Sequence, residues 1–314
     1  MPPFADVLKS RDVEDPINLW VHRPIAYAFC TLVFRTSMTP NQVTLIAIFL
    51  GMAAAACWVE GSPRAMLWGG ILLWSSAIMD GADGILARAK RLQSAFGRAL
   101  DGFADYLVGL SSVCGCIYHL YVTGERTLLF FAVPAFVTTI IEFNGYDFYK
   151  EIWMHMTRID RQREGHLVSD IDKLRASESA KTAPWYTRIS LFLYADLTRN
   201  QDRLIRLTNK PARRLLTEAR RSRASADTYR QLNHLPMQFW KALSTAPHAY
   251  LFSIFAMFDR LDLYLWLRLL GMGPLALIAF VLQRRATART LSAFEASGWL
   301  IDSEPSARIP YMPR

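Results

Sequence analysis

The sequence predicts an all-α integral membrane protein: a six-transmembrane-helix bundle with an N-terminal interfacial helix and a long helical cytoplasmic insertion. Three observations predict it. Hydrophobic residues make up 52% of the 314 positions, and they come in long blocks instead of the short periodic runs of soluble cores. The blocks are 41 to 60, 65 to 88, 99 to 122, 127 to 149, about 243 to 258, and 261 to 283; each is near the roughly 20 residues that cross a hydrocarbon core. The net charge of +9 is concentrated in the one long polar stretch, 149 to 242, which holds about twice as many basic as acidic residues, whereas the turns near 59 to 64, 123 to 126 and 259 to 262 are short and nearly balanced.

That asymmetry sets an expected orientation and a division of the chain. By the positive-inside rule the long polar stretch and both termini lie on the cytoplasmic side of the inner membrane. The expected parts are 1–36, a cytoplasmic and interfacial segment; 37–148, the first four spans; 149–242, the insertion; 243–285, the last two spans; and 286–314, a cytoplasmic tail. The start, MPPFADVLKSRDVEDP, lacks a basic region leading into a short apolar run, so no removable signal peptide is expected and the first span serves as an uncleaved anchor. Residues 16 to 35 are apolar and aromatic but broken by His22, Arg23 and Pro24, which suits a helix lying in the interface. Thr39 as N-cap with Pro40 at the first helical position starts the first span.

In the insertion, Trp185 to Leu207 and Ala212 to Arg223 read as amphipathic helices lying on the membrane surface. The tail from Thr287 on, with Pro305 and Pro310, is expected to fray. The four cysteines lack ligand-like or disulfide-like spacing and read as buried small hydrophobes. The six histidines show no paired zinc spacing. The basic residues between Arg203 and Arg230 carry few interleaved aromatics, which argues against nucleic acid and leaves anionic headgroups, a phosphorylated acceptor or a plain solvated surface.

The chemistry concentrates in Met79-DGADGILARAKRLQSAFGRALDGFAD-Tyr106, where the second block ends and the third begins. Asp80, Asp83, Gly84, Ala87 and Arg88 follow the spacing i, i+3, i+4, i+7, i+8 and share one helical face. Asp101 and Asp105 are one turn apart on the next helix, with Gly97 a turn earlier. Two antiparallel helices joined by a loop around Lys90 to Gln93 bring four carboxylates together. Like charges at a membrane boundary repel and are costly, and divalent cations offset them; Mg²⁺ or Mn²⁺ prefers hard oxygen ligands shared with substrate phosphates. Two such ions neutralise a diphosphate for in-line attack. The small residues allow close approach of backbone or nucleotide, the Arg88 fork suits a phosphate oxygen, and Asp105 is the candidate proton acceptor.

These residues resemble the signature of the CDP-alcohol phosphatidyltransferase family, D-x-x-D-G-x-x-A-R-(x8)-G-x-x-x-D-x-x-x-D, without a mismatch from Asp80 to Asp105; eight such matches arise by chance about once in 10¹⁰ windows. The resemblance covers residues 16 to 148 well and 243 to 285 loosely, and the long segment 149 to 242 departs from it. It implies a six-span homodimer with a cytoplasm-facing site and two divalent ions. It implies metal ligation by Asp80, Asp83, Asp101 and Asp105, a catalytic role for Asp105 and Asp101, and a CDP site lined by Gly84, Ala87, Arg88 and Gly97. The implied partners are a CDP-linked donor, an alcohol or polyol-phosphate acceptor and membrane lipids. The entry DPINLWVHRPIAYAFCTLVFRTSMTPNQVTL resembles the inositol-phosphate branch of the family.

Two other readings of the acids compete. A salt-bridged face such as Asp83 with Arg88 explains neither the glycines nor the spacing. An ion-coupled transporter would spread acids through the depth of several spans, whereas these gather at one boundary. Glu142, Asn144 and Asp147 either face the acceptor or sit in the headgroup zone, the second being favoured, and Arg268 is expected to snorkel from an end of the last span.

Overall fold

The computed structural model describes residues 1–8, 12–158 and 185–300. Among these, the longer elements are nine helices, and no strand occurs. They are α1 Arg23–Val33, α2 Pro40–Glu60, α3 Pro63–Lys90, α4 Ala95–Val122, α5 Arg126–Thr157, α6 Trp185–Asn209, α7 Arg223–Ala242, α8 Thr245–Met257 and α9 Leu261–Ala296, whose first half includes a π-helical stretch at Leu267–Met272.

Four of the described helices are long and apolar enough to cross a membrane: α2, α4, α5 and α9. The protein is therefore multi-pass. The other two expected blocks are helices as well. The 28 residues of α3 include the glycines, serines and carboxylates that lower its hydropathy, and α8 has only 13 residues.

Local chemistry explains the boundaries. Thr39 caps α2 in a reciprocal box with Gln42, and Pro40 occupies the first turn, as the sequence predicts. Gly61 ends α2 in the left-handed region at φ 78°, which only glycine adopts without strain. Helix α3 ends at Lys90 with Arg91 left-handed at φ 57°. Ser94 then caps α4 by accepting from the Gly97 amide at 2.9 Å. The chain thus reverses in the four residues 91–94, the expected loop.

Helix α3 is the centre of the bundle, packing most extensively on α2 and also on α8 and α1. Glycines permit this: a Cβ on Gly69 would lie 2.4 Å from the Trp58 indole nitrogen, and one on Gly70 would lie 2.5 Å from the Ser253 carbonyl. Trp58, Met66, Leu73, Phe252 and Leu261 form the membrane-embedded core there.

The polar insertion behaves differently from expectation. It does not only lie on a surface: α7 packs on α5 and α9 and builds a core of its own with Tyr149, Trp153, Tyr229, Trp240 and Phe294. Burial of these aromatic faces outweighs the polar composition of the segment. The stretch Ala212 to Arg223 is broken instead of helical, with short turns at Lys210–Arg213 and Arg214–Thr217 and a lone bridge from Ala219 to Leu300. Helix α9 stays ordered to Ala296, past the expected start of the frayed tail, because Thr287, Thr290 and Phe294 are buried against that core; residues 301–314 and 159–184 lie outside the described ones. Of the cysteines, Cys30 is fully buried and donates to the Ala82 carbonyl at 3.1 Å, but Cys114 is exposed on α4.

The N-terminal segment leaves apolar side chains on its outer side, with Trp20 and Leu32 about four-fifths exposed. Its inner side is fastened to α3. Arg23 donates to both carboxylate oxygens of Glu14, at 2.9 and 3.1 Å, and to the Gly81 carbonyl at 3.0 Å.

Candidate active site

Helix periodicity places Asp80, Asp83, Gly84, Ala87 and Arg88 on one face of α3, and after the short reversal at 91–94 α4 packs on α2, which α3 also packs against. Ligand-capable oxygens of Asp80, Asp83 and Asp101 all lie within 4.8 Å of one another. Asp83 is buried and accepts a short hydrogen bond from Thr44 of α2, which fixes one of its oxygens. Three hard oxygen donors at this spacing, at one end of a bundle, fit a divalent cation. Asp105, expected as a ligand as well as a base, lies outside this three-carboxylate group, one helical turn beyond Asp101.

The carboxylates separate two cavities. The smaller, of about 150 Å³, is walled by Asp83, Gly84, Ala87, Arg88, Gly97 and Asp101, with Asn41 and Thr44 closing it from α2. All four residues expected to contact the nucleotide are thus brought onto one wall system. A Cβ on Gly84 would stand 3.3 Å from Arg88 Nη1, so the glycine leaves room for the guanidinium. Arg88 is oriented by donating its Nε–H to the Val7 carbonyl at 2.5 Å.

The larger cavity, of about 260 Å³, begins at Asp80 and Asp105 and runs into the bundle between α3, α4, α5, α8 and α9. Its lining includes Asn18, His22 and Arg23, the apolar Leu73, Val108 and Phe252, and His248 and Arg268.

Arg268 is the clearest departure from expectation. It does not snorkel: it is 1% exposed and donates to Glu142 Oε2 at 2.6 Å and Thr139 Oγ1 at 2.6 Å, with the Ala135 carbonyl at 3.3 Å. Glu142, also fully buried, faces His248 Nε2 at 3.2 Å. The residue lies in the π-helical stretch of α9, whose widened turn gives the side chain an inward path. Asp147 instead pairs with Lys150, which stacks over the Tyr146 ring. Several of the insertion's basic residues are tied to acids too: Arg206 and Arg213 to Asp202, and Arg214 to Glu218 and Glu295.

Sequence reasoning missed Thr44, Arg23, Glu14 and His22. A signal existed for Thr44, which is one turn beyond Asn41 on the capped start of α2. None existed for the Glu14 and Arg23 pair, whose meaning comes from the Gly81 carbonyl it grips 58 positions away in the chain.

Fold and site together define a multi-pass helical membrane protein with a cation-type carboxylate cluster set between a small polar cavity and a larger, deeper one. A model of the CDP-alcohol phosphatidyltransferase family matches residues 37–195, about half of the chain, and the protein belongs to that family. The match runs past residue 148 into α6, further than the sequence resemblance reached. Two curated relatives are similar over shorter stretches. One, a bifunctional IPC transferase and DIPP synthase of Aquifex aeolicus (strain VF5), is 38% identical over 82 residues, 26% of this chain and 18% of the relative. The other, with the same description, from Thermococcus kodakarensis (strain ATCC BAA-918 / JCM 12380 / KOD1), is 39% identical over 71 residues, 23% of this chain and 16% of the relative. The chain therefore spans less than a fifth of the length of each of these relatives.

Proposed function

We propose that this transferase moves a phosphoryl-linked alcohol or lipid from CDP-diacylglycerol or a CDP-polyol to the hydroxyl of an inositol phosphate or similar polyol phosphate, in phospholipid headgroup synthesis. The observation that carries the reading is the division of the acidic cluster: Asp83 and Asp101 face the small cavity with Gly84, Ala87, Arg88 and Gly97, while Asp80 and Asp105 face the large one. Donor and acceptor can then meet across the carboxylates. The relatives described as IPC transferase and DIPP synthase support the inositol-phosphate acceptor.

In this reading the cytidine and its phosphates lie over Gly84, Ala87 and Gly97, where the absence of larger side chains lets the backbone approach the nucleotide. Arg88 holds a phosphate oxygen and balances the charge that develops on departing CMP. Asp80, Asp83 and Asp101 hold divalent cations, Mg²⁺ or Mn²⁺, two in number on the family pattern. When bound, these supply charge neutralisation for the diphosphate. Thr44 keeps the Asp83 carboxylate aimed inward. Asp105, set apart from the ligand group, accepts the proton of the attacking hydroxyl at the mouth of the large cavity. Helices α3 and α8 complete a six-span bundle that pairs with a second copy, and the site faces the cytoplasm on the side of the basic insertion.

The test is CMP release by the full-length protein in detergent, with Mg²⁺ or Mn²⁺, across a panel of CDP donors and alcohols. Release that requires the metal and is fastest with a polyol phosphate is expected. Faster release with glycerol phosphate, serine or a lipid hydroxyl overturns the acceptor assignment, and ion flux without CMP release from any pair overturns the reading as a whole.

A further inference from the structure

The large cavity is lined by polar groups that the transfer reaction does not use. His22 is 2% exposed, and its Nε2 has no hydrogen-bond partner among the described residues; Ser112 of α4 is 4% exposed, and its Oγ has none either. Both line the cavity that carries Asp80 and Asp105. A buried polar atom left without a partner costs about 1–3 kcal/mol, so two that line one cavity mark a place where something else supplies the hydrogen bonds.

His22 is held there by construction. It ends the π-helical turn Asn18–His22, and its ring is wedged edge-on between Trp74 of α3 and Tyr250 of α8, with centroids 5.9 and 6.0 Å away. The charge of the neighbouring Arg23 is already answered by Glu14, and three of its five N–H groups are used. All three nitrogens of Arg23 already donate, to Glu14 and to the Gly81 carbonyl. What remains is a set of neutral groups that can donate or accept, and hydroxyls are their natural complement. Burial and the Arg23 charge hold the imidazole neutral, its pKa pushed down to about 4. The cavity volume of about 260 Å³ is close to the lower end, roughly 300 Å³, of small-molecule pockets.

We propose that His22 and Ser112 form a recognition site for the uncharged hydroxyl groups of a polyol, beside the carboxylates where transfer takes place. The inference rests on the transferase reading and adds to it the feature by which this site distinguishes a polyol from a simple alcohol. The polyol can belong to the acceptor or to the donor, since both carry hydroxyls past the reacting phosphorus. His22 and Ser112 act as binding residues, and neither handles the transferred proton.

The test compares His22→Leu, His22→Gln and Ser112→Ala with the native full-length protein in detergent with Mg²⁺, measuring CMP-release kinetics and melting temperature. His22→Leu and Ser112→Ala are each expected to raise the KM of the polyol-bearing substrate about ten-fold, the loss of one hydrogen bond, with His22→Gln regaining part. A rise in acceptor KM assigns the site to the acceptor, and a rise in donor KM confined to CDP-polyols assigns it to the donor. Unchanged KM values with a lowered melting temperature make the two side chains packing elements and overturn the proposal. If the His22 variants do not fold, Ser112→Ala decides alone. If the native protein releases no CMP from any pair, the transferase reading has failed, and the site is judged by calorimetric titration with myo-inositol. Binding that Ser112→Ala weakens then supports it, and no binding to the native protein overturns it.

Discussion

The bundle contains two groups of charges, and they are treated in opposite ways. Around Glu142, the bundle supplies nearly every partner: Arg268 and His248 contact it, and Thr139 and the Ala135 carbonyl take further donors of Arg268, while Glu142 Oε1 has no hydrogen bond among the described residues. Around Asp80, Asp83 and Asp101, like charges are brought within 4.8 Å of one another, and open cavities adjoin them on two sides. A buried pair that is internally compensated is a structural element that tolerates no loss of one member. A cluster of like-charged acids beside two cavities suits a cationic ligand from outside. Charge in a membrane bundle is therefore informative less by its presence than by whether the fold has already answered it.

The comparison is broken most forcefully at Asp101. Asp101→Ala is expected to lower metal-dependent CMP release by about 10³-fold or more, the scale of losing a principal electrostatic group, while the melting temperature in chelator stays level or rises because repulsion is relieved. A destabilised protein with intact activity would reverse the assignment of the two groups.

At the other group the expected effect falls on folding. Arg268→Met leaves Glu142 charged and buried, which costs about 3–5 kcal/mol; thermal unfolding in detergent measures it. Adding Glu142→Gln is expected to recover much of that loss, since an amide needs no counter-charge. If the single variant melts like the native protein, the pair is not structural.

The smallest effect sharpens the role of space. Gly84→Ala puts a Cβ 3.3 Å from Arg88 Nη1, a contact the guanidinium relieves by moving a few tenths of an ångström. A several-fold rise in the KM for the CDP donor is expected, about 1 kcal/mol, with no change in melting temperature. Steady-state kinetics at saturating acceptor checks it.

Much of the site was legible because it is local. The i, i+3, i+4, i+7, i+8 spacing from Asp80 to Arg88 becomes one face as soon as α3 is a helix, and Gly97 and Asp101 follow through a four-residue reversal. The start of α2 was legible for the same reason, since a cap involves residues three apart. Legibility failed where partners are distant. Nothing around Arg268 distinguishes a snorkelling arginine from one that turns inward to Glu142, 126 positions earlier. In the insertion, the polar composition hid an aromatic stripe that is core only because α5 and α9 extend far enough to meet it.

The sequence by itself determined the apolar blocks, the carboxylate and glycine constellation, and with them the family, because helix periodicity and side-chain chemistry act over a few residues. Only the tertiary structure decided that Asp80, Asp83 and Asp101 converge within 4.8 Å of one another, that Arg23, paired with Glu14, grips the backbone beside Asp80, and that Arg268 is compensated inside the bundle. Those outcomes depend on how helices cross and rotate against one another, which is set by the sum of many weak contacts along their whole length.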